Sequence, residues 1–188
     1  MKSIDVNSQI QIDIKKSKFI AYSFYVEDEQ SVIKHLDLLK KEYGDATHIC
    51  YAYVLNSPNR EKAFDDGEPD GTAGKPILEV IKKQKLSNVL IIVVRYFGGI
   101  KLGSGGLARA YLNSASEVVK QSKICEYDYA YYYKSNVAIA DAKSFIASIN
   151  SQGAVVTHIE YGQQVVIDYY SFVKLGDDYI DCKLTKKV

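Results

Sequence analysis

The spacing of hydrophobic and polar positions changes several times along the chain, and each change predicts an element. Ile10, Ile12 and Ile14 alternate with polar residues, and 19–26 (FIAYSFYV) is dense in aromatic and β-branched side chains, so both stretches predict strands. Over 29–43 the apolar positions shift to helical spacing, with Val32, Leu36 and Leu39 on one face and Ile33 close by. Gly44 is expected to end that helix in the left-handed conformation. A further strand is expected at 47–55 (THICYAYVL), and the polar run 57–74, with NSPNR and FDDGEPDGTAGK, predicts a long loop with room for a short strand near 61–64. Pro76 suits the first turn of a helix reaching about residue 85. The unbroken aliphatic run within 89–96 predicts a buried strand, and 106–121 a helix.

After Cys125 the pattern restarts: a strand at 127–134, a helix at 137–150, a hairpin of 154–160 and 163–169 about Tyr161 and Gly162, and a last strand at 178–185. This β-α-β-β-β order resembles a ferredoxin-like half-domain whose second helix would have to fit within 170–177, too short a span for a normal one. The expectation is therefore an α+β chain of two domains, 1–125 and 126–188, joined by a short, stiff boundary.

The bulk numbers narrow the function classes. A chain of 188 residues with 47% hydrophobic content can bury a real core. With 24 Lys and Arg against 23 Asp and Glu, no global field draws it onto nucleic acid or a membrane, so an anion site has to be local. The balance is uneven, however: 18 basic against 15 acidic residues lie in 1–125, and six Lys against eight acidic residues in 126–188. Cys50, Cys125 and Cys182 have neither the spacing of a metal pair nor an even disulfide framework, which implies a reducing compartment. The first 19 residues hold no continuous apolar segment and 89–94 is too short to span a bilayer, so a cytoplasmic protein without membrane contact is expected.

Five of the twelve glycines fall within 98–106. Gly103, Gly105 and Ala108 fit a dinucleotide fingerprint by spacing, yet about eight residues separate Val94 from Gly103, where the fingerprint needs a turn directly after the strand. The Walker pattern fails because Ser104 stands where Lys is required. A third reading uses the helix start itself. The N–H groups of Gly103, Ser104, Gly105 and Gly106 would be bare and the helix dipole positive there, with Arg95, Lys101 and Arg109 as flanking cations for a phosphate. Close packing and positive φ angles explain the same glycines without any ligand, and both explanations stand at this level.

Other polar groups invite chemistry. His48 and Cys50 share a strand face and could form a thiolate nucleophile, with Asp66 as a third catalytic candidate. The loop residues Asp65, Asp66, Glu68, Asp70 and Thr72 could hold a hard cation or, with better support from their spacing, make turns and cap a helix. His35 and His158 have no evident partners. Tyr127, Tyr129, Tyr131 and Tyr133 line one strand face; a base-stacking platform would need a basic surround that this half lacks, so packing is the expected role.

Taken together, KKSKFIA, DATHICYAY, DDGEPDGTAGKPIL and VVRYFGGIKLGSGGLARAY resemble the signature blocks of the YigZ/IMPACT family (UPF0029 type) over 15 to about 120. The resemblance implies a ribosomal protein S5 domain 2-like first domain and a ferredoxin-like second domain similar to the last domain of elongation factor G. It implies no established enzymatic activity: bacterial members are described as uncharacterised or as nucleic-acid binders, and eukaryotic ones dampen the amino-acid-starvation kinase pathway by binding its ribosome-associated activator. By position it singles out His48, Cys50, Asp65, Asp66, Gly67, Glu68, Thr72, Gly74, Arg95, Tyr96, Gly98, Gly99, Lys101, Gly103, Gly105, Gly106 and Arg109. Ile49 departs from the usual Asn and Asp70 from the usual Ser. The leading expectation is a non-enzymatic binding protein linked to regulation of translation, contacting RNA or a ribosome-associated protein through the glycine turn, with no cofactor and no metal. The alternative is an enzyme acting on a phosphorylated small molecule or peptide through His48, Cys50 and Asp66.

Overall fold

The structure, a computed structural model, describes every residue except 58 and 188, so Pro58 of the expected NSPNR turn lies outside the described residues. The chain divides into two compact units, Met1–Cys125 and Glu126–Val188. Together they form a mixed α+β protein with two antiparallel sheets and four α-helices among the described residues.

The first unit holds β1 (Lys2–Ile4), β2 (Ser8–Ile14), β3 (Ser17–Tyr25), α1 (Glu29–Glu42), β4 (His48–Leu55), β5 (Arg60–Phe64), α2 (Gly74–Lys83), β6 (Val89–Tyr96) and α3 (Ser104–Gln121). Its sheet runs β2-β3-β6-β4-β5, antiparallel throughout. Successive side chains of a strand point to opposite faces, and β6 at the centre is apolar on both because both faces are covered. Val89, Ile91 and Val93 enter a core with α2 and α3, while Leu90, Ile92 and Val94 enter a second core with Val32, Leu36 and Leu39 of α1. Phe19, Cys50, Ala52 and Tyr111 belong to the α2/α3 core.

Local chemistry sets the helix boundaries. α1 opens with a capping box: Ser31 N–H donates to Asp28 Oδ1 at 2.7 Å and Asp28 N–H to Ser31 Oγ at 3.3 Å. Its end departs from expectation, since Tyr43 N–H returns to the Leu39 carbonyl and Gly44 does not have positive φ. α2 starts at Gly74, two residues before Pro76, and α3 starts at Ser104, two residues before the expected Gly106. The β2–β3 turn places Lys15 and Lys16 at φ 46° and 67°. Gly98 packs against this turn so closely that a Cβ would overlap the Lys16 carbonyl, so no larger residue fits.

The second unit contains β7 (Ile124–Val137), α4 (Ala142–Ser151), β8 (Val155–Tyr161), β9 (Val165–Ser171) and β10 (Asp181–Lys186), in the sheet order β10-β7-β9-β8. A 3₁₀ turn over Ile139–Asp141 leads into α4, so that helix is shorter than expected. Between β9 and β10 there is no helix. Tyr133 is buried, stacked on Tyr169 at 5.1 Å between ring centroids, and packs with Val165, Ile167 and Ile149 of α4; it is core rather than an exposed base platform.

No helix among the described residues is long and apolar enough to cross a membrane.

Candidate functional site

The period of β6 carries one charge into the core. Val89, Ile91 and Val93 face α2 and α3, and the next position of that parity is Arg95, only 5% exposed. It sits opposite Phe19 on β3 and His48 on β4. A buried guanidinium is costly unless paired. Arg95 Nη1 donates to Glu68 Oε1 at 2.5 Å, with the two side chains 6% and 3% exposed. The Tyr111 hydroxyl donates to the same oxygen at 2.8 Å, and His48 Nε2 lies 3.8 Å from Glu68 Oε2. The guanidinium is flanked by Phe19 and Phe97, 5.4 and 5.6 Å from their ring centroids. Arg95 Nε is buried and has no hydrogen-bond partner among the described residues.

Loop 65–73 brings Glu68 to this place and is itself held by two aspartates. Asp65 accepts from Gly71 N–H at 3.0 Å through one oxygen, and from Ala73 and Gly74 N–H at 2.9 and 2.8 Å through the other, capping α2 from outside the helix. Asp66 accepts from Ile49 N–H at 2.6 Å, and its carbonyl lies 2.8 Å from His48 Nδ1. Thr72 donates its hydroxyl to the Pro69 carbonyl at 2.6 Å. The acidic loop is thus a turn-and-cap device. No group of three or more His, Cys, Asp or Glu is placed to hold a metal among the described residues.

Across from the loop, α3 starts without such a device. Gly103 precedes it at φ 73°, no side chain caps it, and its first turn holds no acid. The first intrahelical bond is Leu107 N–H to the Gly103 carbonyl at 2.9 Å, so the N–H groups of Ser104, Gly105 and Gly106 have no acceptor among the described residues. A pocket of about 440 Å³ opens here; Arg95, His48, Glu68, Lys101, Gly103 and Ser104 help line it, with an apolar part from Pro69, Phe97, Leu102 and Leu107.

The expected cations do not all gather. Arg95 and Lys101 line the pocket, but Arg95 is committed to Glu68 and only Lys101 is exposed. Arg109, exposed on α3, is not among the lining residues. The His48–Cys50 pair shares a face as expected but is not a nucleophile–base couple. His48 engages the Asp66 carbonyl, while the Cys50 thiol donates to the Asp65 carbonyl at 2.9 Å and lies 3.4 Å from the Tyr111 hydroxyl. Burial pushes the Cys50 thiol far up, and the carboxylates of Glu68, Asp66 and Asp65 push the same way. An activated thiolate does not fit these surroundings. Burial likewise raises Tyr111, with Cys50 and then Glu68 adding to it, so its hydroxyl stays a donor to Glu68.

The segment that builds this pocket is also the one that matches known proteins. Residues 15–119 match the family model described as the Impact N-terminal domain. The chain belongs to that family. It is 48% identical over 117 residues to the IMPACT family member YvyE of Bacillus subtilis (62% of this chain, 54% of the relative). To the IMPACT family member YigZ of Escherichia coli it is 37% identical over 112 residues (58% of this chain, 55% of the relative). The matched part thus spans about half the length of these curated relatives. A solved structure described as the crystal structure of a hypothetical protein covers 90% of this chain and 84% of its own, at TM-score 0.66 and 25% identity. Pocket, capping loop and open helix start all lie within the Impact match; β8, β9 and β10 lie outside it.

Two members of the site were not anticipated. Tyr111 reads in sequence as a core residue, at helical spacing from Leu107 and Ala115 on α3, and only its hydroxyl partner marks it as part of the network. Phe97 is an exposed aromatic directly after the central strand, at 45% exposure, a signal that was present in sequence.

Proposed function

We propose that the chain is a non-enzymatic, cytoplasmic binding protein linked to the regulation of translation, which holds phosphate groups of RNA at the start of α3. The observation that carries this is a pocket lined by Ser104, at a helix start with three acceptor-free N–H groups, together with the exposed Lys101 and the buried Arg95. Membership of the Impact family supports the link to translation. The strand order β10-β7-β9-β8 around a single helix supports reading 126–188 as an abbreviated ferredoxin-like domain, and the family resemblance supports an S5 domain 2-like reading of 1–125. The enzyme alternative is disfavoured by the buried, protonated Cys50 and by the commitment of His48 and Asp66 to loop hydrogen bonds.

The test is the salt dependence of binding to a short single-stranded RNA, followed by fluorescence anisotropy. Affinity falls steeply between 50 and 200 mM salt, and Lys101→Ala lowers the logarithmic slope by about one. An affinity that does not change over that range would overturn the proposal.

A further inference from the structure

Resting on that phosphate-binding reading, we infer that the pocket takes a phosphate monoester carried by a nucleoside, whether the phosphorylated end of an RNA chain or a free mononucleotide, in preference to the bridging phosphodiesters of a chain interior.

The donor set matches a monoester. The N–H groups of Ser104, Gly105 and Gly106 lack acceptors among the described residues, and Ser104 lines the pocket together with the exposed Lys101; Arg95 in the wall adds charge, with its Nη1 bonded to Glu68 and its Nε buried. A monoester offers three acceptor oxygens and nearly two charges. A diester keeps two oxygens and one charge, and its chain must leave on both sides. Glu68 is the acid facing the pocket, and its charge is already opposed by Arg95 and the Tyr111 hydroxyl. Thr47 also faces it, with its hydroxyl oxygen accepting from Phe97 N–H at 3.0 Å.

Gly105 gives the second reason. A Cβ built there meets nothing within 4 Å and its φ is not positive, so neither packing nor backbone conformation requires glycine. Gly105 is exposed, and its own N–H is one of the three without an acceptor among the described residues. Leaving that ground bare is what close approach of a ligand needs.

The volume points to more than phosphate. About 440 Å³ lies within the ~300–1,000 Å³ span of small-molecule sites. The part not lined by donors is Pro69, Phe97, Leu102 and Leu107. Phe97 offers an aromatic face on which a base can stack.

The experiment uses the full chain and compares inorganic phosphate, uridine 5′-monophosphate, and one RNA hexamer bearing a 5′-phosphate, a 3′-phosphate or hydroxyls at both ends. Amide NMR follows Ser104, Gly105 and Gly106, and anisotropy gives affinities. One phosphorylated end should bind at least tenfold tighter than the hydroxyl-ended hexamer. The nucleotide should compete with it, shift the three amides and bind tighter than inorganic phosphate. Phe97→Ala should close the gap between nucleotide and phosphate, and Gly105→Asp, whose side chain has open space, should abolish binding while the remaining amide spectrum is kept. Equal affinity for all three hexamers, still lost in Gly105→Asp, would overturn this inference and leave the phosphate-binding reading standing. Binding of the nucleotide without any hexamer would support the pocket assignment and overturn the RNA reading. A nucleotide no tighter than inorganic phosphate removes the nucleoside part, and no binding by any probe removes both.

Discussion

At the start of α2 the Asp65 carboxylate accepts from Ala73 and Gly74 N–H at 2.9 and 2.8 Å; at the start of α3 the N–H groups of Ser104, Gly105 and Gly106 meet no acceptor among the described residues. The two helices pack against each other on the same sheet face, and both follow glycine-containing loops. Both starts carry the partial positive charge of a helix N-terminus. One is saturated by an acid from the protein's own loop. The other faces a pocket with a buried arginine in its wall. A chain that builds the first arrangement can build the second the same way, and on the proposed phosphate-binding reading the difference separates structural from functional use of one motif.

The comparison breaks most severely at Arg95. Arg95→Met leaves the buried Glu68 carboxylate with the Tyr111 hydroxyl and, at 3.8 Å, His48 Nε2, and a loss of about 3–5 kcal/mol in unfolding free energy by urea titration is expected. Adding Glu68→Leu should recover part of it, because the cost is that of a buried unpaired charge rather than of a missing attraction. On the α2 side, Asp65→Ala leaves three N–H groups without their acceptor and should cost about 2–3 kcal/mol. Asp65→Asn, which keeps an acceptor oxygen, should cost less. If Asp65→Ala were neutral, the carboxylate would not be what holds the start of α2.

The converse change makes α3 resemble α2. Gly105→Asp supplies an acid to a first turn that has none, at a position with open space around its Cβ. It should raise stability by roughly 0.5–1 kcal/mol, from the helix dipole and the reduced freedom of the unfolded chain. Gly105→Ala should show the second contribution alone. Stabilisation together with loss of anion binding would mark glycine at this position as kept for the ligand; destabilisation would mean that the open amides already have a structural use.

How much of this the sequence discloses depends on distance along the chain. The run from Val89 to Val94 predicts a buried strand, as found; that its alternate residues enter two separate cores is shown by the structure. The same alternation, carried one step past Val93, puts Arg95 inside the protein, which the expectation of Arg95, Lys101 and Arg109 flanking the helix start together leaves out of account. Its partner Glu68 lies 27 residues away in a loop, and no local pattern encodes that pairing. The capping role of the DDGEPDG segment was legible as a type of role, because Asx turns and caps draw on these residues, but not which aspartate caps which amide. His48 and Cys50 do share a face, yet loop carbonyls occupy both side chains, and only tertiary structure places a loop there. β1 escaped notice because three residues give no period, although Ile4 is fully buried.

The smallest effect tests whether acids at helix starts behave alike. α1 is capped by Asp28, whose carboxyl is held below its ordinary 3.8, first by the Ser31 backbone N–H and then by the Ser31 side chain. A carboxyl depressed in the folded state binds protons more readily when unfolded, so its stabilisation is complete above about pH 3.8 and is lost as the pH falls through the folded value. Asp28→Asn keeps a capping oxygen without the titration. The difference in urea midpoint between the parent and Asp28→Asn should therefore stay level above about pH 5 and shrink on further acidification. Since α3 has no acid in its first turn, it contributes no such acid limb in the parent chain, and Gly105→Asp should create one. A difference that stays level down to about pH 2 would show that the charge on Asp28 is not what the cap depends on, and the contrast between the saturated and the open helix start would then rest on Asp65 alone.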